Sequence, residues 1–363
     1  MTKARRRGKG EGSIWQSDAG RWIGQLTLPN GKKKTKYGKT QGEVKKWLLG
    51  QRNLLQEGIY ITDETYTLEN FLKRYFEDVA NNTLAPRTLL SYEYLIRVHI
   101  VPEIGYIRLS QLRADHLQSL YTKKLNQGLS PRSVQKVHNL MHTTLEVAYK
   151  WGLVLRNVAD LAQAPVAEKK IPIILNVTEI NKLLEFVKGD RWYAFYACAA
   201  SLGIREGEIL ALEWKDIDFK NKTVSINKQT QYLPGKGISV KYPKTKSSVR
   251  ILPLPDVALN ALIEHKSFSN NHLVFATSNG TYFSARNVLR HFQQTLAKLD
   301  LPKIPFHNLR HSCASYHLAV GTNPKIVQML LGHSSIVVTL NTYSHLLPGV
   351  SEEATQNINK VFT

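Results

Sequence analysis

Over the first forty positions apolar and polar residues alternate with a period of two, in "GSIWQS", "GRWIGQLTLP" and "KKKTKYG". Successive side chains of a strand point to opposite faces, so this alternation predicts three short strands. Turns are expected at "SDAG" and at Asn30-Gly31, the second joining two strands as a tight hairpin. The period then lengthens. In "GEVKKWLLGQRNLLQEG", Val44, Trp47, Leu48 and Leu55 fall toward one side at helical spacing and Gly58 closes the run. A small three-stranded β-sheet plus helix is therefore predicted over 1–60.

From residue 66 the helical period dominates. Thr67 is placed to cap a helix whose stripe is Leu68, Phe71, Leu72, Tyr75 and Val79. Further helices are expected in "APRTLLSYEYLIRVHIVPEIG", "RADHLQSLYTKKLNQG" and "SPRSVQKVHNLMHTTLEVAYKWG", the last opened by Ser130-Pro131. An all-α helical bundle over 66–165 follows, then an aperiodic Ala/Pro/Lys stretch at about 161–175 that reads as a linker. Residues 172–363 mix the two periods into an α+β, mostly helical domain. Thr178 is expected to cap "EINKLLEFVKG", and "RWYAFYACAASLG" is an almost wholly apolar helix stopped by Gly203. Strand patterns follow in "KTVSINKQT" and "KYPKTKSSVRILPLP". Toward the end, Leu309, Cys313, Tyr316 and Val320 form one predicted inward stripe, and Ile326, Val327 and Leu330 another, between Asn323-Pro324 and Gly332.

Charge narrows the function. The chain has 363 residues with 49 Lys and Arg against 28 acids, a net charge of +21, and eleven of those cations lie in residues 1–40. A polyanionic partner is implied. In the amino-terminal sheet, Trp15, Trp22 and Tyr37 are candidates either for reading a DNA groove or for the sheet's own core. No apolar run reaches the eighteen or so residues of a membrane span, and the basic start "MTKARRRGKGEGS" lacks a signal segment. A cytoplasmic protein with no membrane partner is expected. The two cysteines, Cys198 and Cys313, sit in apolar helical patterns and read as buried thiols. In "HNLRH", His307 and His311 have the spacing of a zinc-protease helix, but position 308 is Asn where that chemistry requires a Glu base, so no metal and no cofactor is expected.

The remaining chemistry-bearing residues fit one reaction. Arg205 follows directly on the helix stop at Gly203, with Glu208 three residues on to pair with it or with another cation. His307 and Arg310 are one helical turn apart, His333 lies just past a helix end, and Tyr343 interrupts the final apolar run. A tyrosine hydroxyl attacking a phosphodiester builds negative charge on the non-bridging oxygens, which two guanidiniums match geometrically. A nearby histidine can take the phenolic proton. The departing sugar oxygen needs an acid, for which "PKTKS" supplies Lys244 or Lys246.

In order, these boxes, "REGEILALEWKDID", "KTK", "HNLRH", "LGHS" and a tyrosine ten residues after His333, resemble the catalytic domain of the tyrosine recombinases, the integrases of phages and conjugative transposons. The resemblance implies Arg205, Lys244, His307, Arg310, His333 and the nucleophile Tyr343 as the catalytic set, Lys244 being preferred to Lys246 because the family's turn reads "K-T". Asn308 departs from the family's usual Asp and is expected to serve structure. Upstream, 66–165 is similar to the family's core-site DNA-binding domain and 1–60 to the arm-site DNA-binding domain of integrases of lambda and Tn916 type, with 172–363 catalytic. What the resemblance implies is integration and excision of a mobile element through a 3′-phosphotyrosine intermediate, on double-stranded DNA with core-type and arm-type sites. It implies as well a homotetramer on DNA, an excision factor and a DNA-bending host protein. A type IB topoisomerase or resolvase, or a catalytically silent DNA-binding regulator, are the alternatives.

Overall fold

The structure, a computed structural model, describes residues 12–28, 31, 33–56, 66–168, 172–242, 249–343 and 359. The chain divides into two compact units, residues 1–169 and 170–363.

In the first unit, β1 (Ser13–Gln16), β2 (Trp22–Thr27) and β3 (Lys33–Gly38) form an antiparallel sheet in that order, with α1 (Gln41–Gln56) on one face. The register sets Ile14 opposite Gly24 and Gly24 opposite Lys36, and it sets Trp15 opposite Ile23 and Ile23 opposite Tyr37. Gly24 and Leu26 therefore meet Val44 and Leu48 of α1, and Trp15, Ile23, Gln25, Lys33, Thr35 and Tyr37 share the other face. Trp15 and Tyr37 are exposed and Trp22 is half-buried, so the first two do not belong to the sheet's core. Asn30, Gly58 and the side chain of Leu55 lie outside the described residues.

Residues 66–162 pack around one apolar cluster. Thr67 caps α2 (Leu68–Tyr75) by accepting from Asn70 N–H, and the predicted Leu68, Phe71, Leu72 and Tyr75 are buried. A π-helical turn continues α2 into α3 (Asn81–Thr83), and another joins α4 (Pro86–Leu95) to α5 (Val101–Ile104). The second turn has a cause in the sequence. Pro102 has no N–H to offer the carbonyl four residues back, and the ladder widens so that Val101 N–H bonds Ile96 C=O. The long helices α6 (Ala114–Asn126) and α7 (Pro131–Lys150) complete this part, α7 starting at Ser130-Pro131 as its cap predicts.

The second unit is built around α9 (Trp192–Leu202), nine of whose eleven residues are buried. Against it pack α8 (Val177–Phe186), α10 (Glu206–Ile209), α11 (Asp256–Phe268) and α13 (Asn308–Ala319). The cap of α8 is Asn176 rather than Thr178: its carboxamide accepts from Glu179 N–H while the Glu179 carboxylate accepts from Asn176 N–H, a reciprocal pair that a threonine two residues later cannot make. Strands β4 (Ile217–Asp218), β5 (Thr223–Ile226) and β8 (Arg250–Pro253) form one antiparallel sheet, while β6 (Gln229–Leu233) and β7 (Gly237–Lys241) form a hairpin. A buried ammonium, Lys228, braces this region between Glu213 at 2.9 Å and Asp216 at 2.8 Å. Next in the chain is α12 (Ala285–Lys298), whose Phe292 and Leu296 enter the main core.

The last helices, α14 (Pro324–Leu331) and α15 (Ile336–Tyr343), share a small core with α13 made of Ala314, Leu318, Val327, Leu331 and Tyr343. Two predicted stripes shift here. Val320 is exposed because α13 ends at Ala319, and Ile326 is exposed while Leu331 is buried. Leu331 takes the inward place because Gly203, lacking a side chain, leaves room for it: a Cβ there would lie 2.9 Å from Leu331 Cδ2. Cys198 and Cys313 are buried free thiols, and burial pushes both up to about 12. Among the described residues no helix is long and apolar enough to cross a membrane.

Candidate active site

Two left-handed glycines define the site's frame. Gly203, with φ 59°, ends α9, and Gly332, with φ 65°, ends α14; a side chain at either position would be strained. Each leaves its carbonyl to a guanidinium. Arg310 Nη1 donates to Gly203 C=O at 2.8 Å, and Arg205 Nη2 donates to Gly332 C=O at 3.0 Å. Helix ends carry unsatisfied carbonyls, so these bonds satisfy the backbone and fix the arginines together.

Glu208 is the second anchor. Its carboxylate is buried, accepts from Arg205 N–H at 2.9 Å and from Arg205 Nη1 at 2.8 Å, and accepts from Arg250 Nη2 at 2.8 Å and Nη1 at 3.2 Å. Burial pushes its pKa up, but the two guanidiniums outweigh burial and hold it below the ordinary carboxylate value. Arg250 extends the network, its Nε donating to Leu330 C=O at 2.9 Å, close against Gly332. Sequence reasoning did not single out Arg250. The signal was present in β8, where Arg250 shares the inward face with buried Leu252 while Val249 and Ile251 are exposed, and a cation on the buried face of a strand requires a buried partner.

His307 stands at the N-cap position of α13, makes no side-chain capping bond and is exposed; Arg310, one turn later, is buried. Desolvation and the Arg310 charge push His307 down to about 4, and desolvation with Arg310 and Arg205 does the same for His333. Both are neutral imidazoles at pH 7. His333 Nδ1 is 2.9 Å from the buried Thr339 Oγ1, which leaves Nε2 as the ring nitrogen available to a substrate. Arg310 is itself lowered to about 10 by desolvation and by its neighbour Arg205. Arg310 is anchored at Gly203 and Arg205 at Gly332, with His307 one turn before Arg310 and His333 directly after Gly332, so the four are held in one region.

Tyr343 completes the convergence from α15. It is 1% exposed, its ring lies in the small core of α13 and α14, and its hydroxyl is hydrogen-bonded to His311 Nδ1. Burial pushes the phenol up to about 12 against an opposing pull from Arg310, so ionising it costs about 3 kcal/mol more than ionising an ordinary tyrosine. His311, singled out in the sequence only for its metal-like spacing from His307, touches the phenol oxygen. Five of the six expected residues are thus gathered, whereas Lys244, and with it Lys246, lies outside the described residues. Asn308 donates to Ile173 C=O at 2.8 Å, tying the segment before α8 to α13.

Residues 174–349 match the Phage integrase family, and residues 67–125 match its N-terminal SAM-like domain. The chain belongs to the tyrosine recombinase family. A XerC-like tyrosine recombinase of Caldanaerobacter subterraneus subsp. tengcongensis is 29% identical, the alignment spanning 92% of this chain and 93% of the relative. Among solved structures, the Tn1549 transposon integrase in complex with a circular intermediate DNA superposes with a TM-score of 0.73 at 21% identity, over 82% of this chain and 99% of that one. A lambda integrase tetramer bound to a Holliday junction gives 0.63 at 18% identity, over 93% and 96%. The recombinase is a multidomain protein and a tyrosine-type, site-specific DNA-recombining enzyme of the kind that moves mobile elements. DNA is its partner.

Proposed function

We propose that the recombinase integrates and excises its element by direct phosphoryl transfer to Tyr343. Arg205 and Arg310 receive the non-bridging oxygens of the scissile phosphate, with donor directions set by the Gly203 and Gly332 carbonyls. His307 and His333 add hydrogen bonds to the same phosphate. Lys244 protonates the leaving 5′ oxygen, and the 3′-phosphotyrosine link conserves the bond energy for rejoining. What carries this reading is one observation: the phenol of Tyr343 is held against α13, the helix that also presents His307 and Arg310.

The same reading assigns residues 1–60 to arm-type DNA sites, 66–165 to core-type sites and 172–363 to catalysis, in the bacterial cytoplasm. The outward face of the amino-terminal sheet, with Trp15, Lys33 and Tyr37, supports the first assignment. The tetrameric lambda integrase supports a homotetramer on paired sites. An excision factor and a DNA-bending host protein would then set direction.

The test is a nicked suicide substrate drawn from the element's own ends. Denaturant-resistant protein–DNA adducts should accumulate, and Tyr343→Phe should abolish them while leaving DNA binding intact. Adducts that survive this substitution place the nucleophile elsewhere; binding without adducts in the unaltered chain favours a silent regulator. Relaxation of supercoiled DNA lacking any attachment site would point to topoisomerase activity.

A further inference from the structure

Three histidines border the reacting groups, and the proposed mechanism leaves open which of them receives the phenolic proton. We infer that His311 is the general base that deprotonates Tyr343. The inference rests on Tyr343 being the nucleophile and goes beyond it by naming the proton acceptor.

Contact is the first argument. The Tyr343 hydroxyl is placed to donate to His311 Nδ1, and the two rings lie with centroids 5.6 Å apart. On its other sides the tyrosine ring is pinned by Ala314, Leu318, Val327 and Leu331, so the hydroxyl has little freedom to choose another acceptor. The other two imidazoles are placed differently. His333 Nδ1 is engaged with Thr339, and His307 lies on the exposed side, its ring meeting His311 edge-on at 5.1 Å. The turn of α13 thus divides its histidines, His307 toward solvent and incoming DNA, His311 toward the nucleophile.

Charge is the second argument. Desolvation and the adjacent Arg310 lower His311 and so favour the neutral ring, and in the tautomer with its proton on Nε2 the Nδ1 lone pair accepts from the phenol. The same field opposes an imidazolium. A phosphate seated on Arg205 and Arg310 cancels that field, and His311 becomes a stronger base when substrate is present. In the step itself, the O–H bond of Tyr343 breaks and its proton moves to Nδ1, while the oxygen electron pair forms the new O–P bond. The P–O5′ bond breaks with its pair on O5′, which takes a proton from the lysine of the proposed mechanism. Rejoining runs the transfers backward, with the His311 proton returning to the phenol oxygen.

Adduct formation by His311→Gln and His311→Phe on the suicide substrate tests this, with binding to core DNA measured in parallel. Both should bind normally and cleave at least about 100-fold more slowly, the usual scale for losing a general base. The defect should persist on a 5′-bridging phosphorothiolate substrate, whose sulfur departs without protonation; recovery there would put His311 on the leaving group and overturn the inference. A ring-fluorinated tyrosine at position 343, more acidic than tyrosine, should shrink the His311→Gln defect. An undiminished defect with that phenol would reduce His311 to packing, as would cleavage within threefold of the unaltered chain. Should glutamine unfold α13, His311→Phe keeps a ring of similar shape and carries the same comparisons. Failure of the nucleophile assignment is separately visible, as adducts that persist in Tyr343→Phe.

Discussion

The outer face of the amino-terminal sheet and the centre around Glu208 both present cations, but they use them in opposite ways. Lys33 is exposed on a flexible stem, on the face that also carries an exposed Tyr37. The Arg250 side chain and Arg310 are buried, each bonded to a backbone carbonyl, and the single carboxylate of Glu208 is shared between the guanidiniums of Arg205 and Arg250. Exposed charge attracts a polyanion over a long range, is screened by salt and tolerates the loss of one member. Buried and bonded charge does little for attraction. It holds donors where negative charge will develop, and one broken contact leaves a desolvated ion without its partner. Affinity and chemistry are therefore expected to respond to different substitutions.

The sharpest division should come from Glu208→Gln. Removing the common counter-charge of Arg205 and Arg250 takes away a contribution of about 3–5 kcal/mol, so adduct formation should fall by roughly 10² to 10⁴-fold in gel-resolved kinetics while core-site affinity changes less than about tenfold. An equal loss of binding and cleavage would erase the distinction between the two regions. Gly332→Ala should rank next. Its Cβ would sit 2.9 Å from Arg250 Nη1 at a left-handed backbone position, and thermal unfolding should show a loss of about 1–3 kcal/mol.

Proton linkage gives a smaller, signed effect. Folding lowers His307 and His333 from 6.5 to about 4, so the folded chain holds fewer protons than the unfolded one inside that window. Their stabilising contribution is complete above pH 6.5 and disappears as pH falls through about 4. Burial remains the larger cause of the shift, but phosphate binding offsets the part that comes from the Arg310 and Arg205 charges and so raises both imidazoles. Core-site binding should take up protons and tighten as pH drops from neutrality toward that window, which calorimetry in buffers of different ionisation enthalpy will read; His307→Gln with His333→Gln should flatten it. Least of all, Lys33→Ala should lower the salt slope of arm-site binding by about one while leaving cleavage of a core-only substrate unchanged.

What the sequence revealed followed the range of the interaction involved. The α2 stripe, the Ser130-Pro131 start, and the stops at Gly203 and Gly332 rest on neighbours within one or two turns, and they were legible. Arg205, His307, Arg310, His333 and Tyr343 could be named together because their order along the chain matches a family pattern, not because their spacing predicts convergence. Where a partner lies far away in sequence, pattern fails. Leu331 displaces Ile326 from the core because of Gly203, and Arg250 is buried because of Glu208 and Leu330. The eight residues of α14 span barely two turns, too few for periodicity to choose between adjacent faces. His311 was set aside for a related reason: nothing local indicates that the phenol thirty-two residues later will settle on its ring.

The two guanidinium anchors are main-chain oxygens at helix ends, and this has an evolutionary reading. A carbonyl survives every substitution of its own residue that the backbone can bear, so drift in the surrounding side chains leaves the phosphate cradle's footing intact. Divergence is free to reshape the outer surface that chooses which sequences are cut, while the cutting apparatus remains tied to two unchanging corners of the chain.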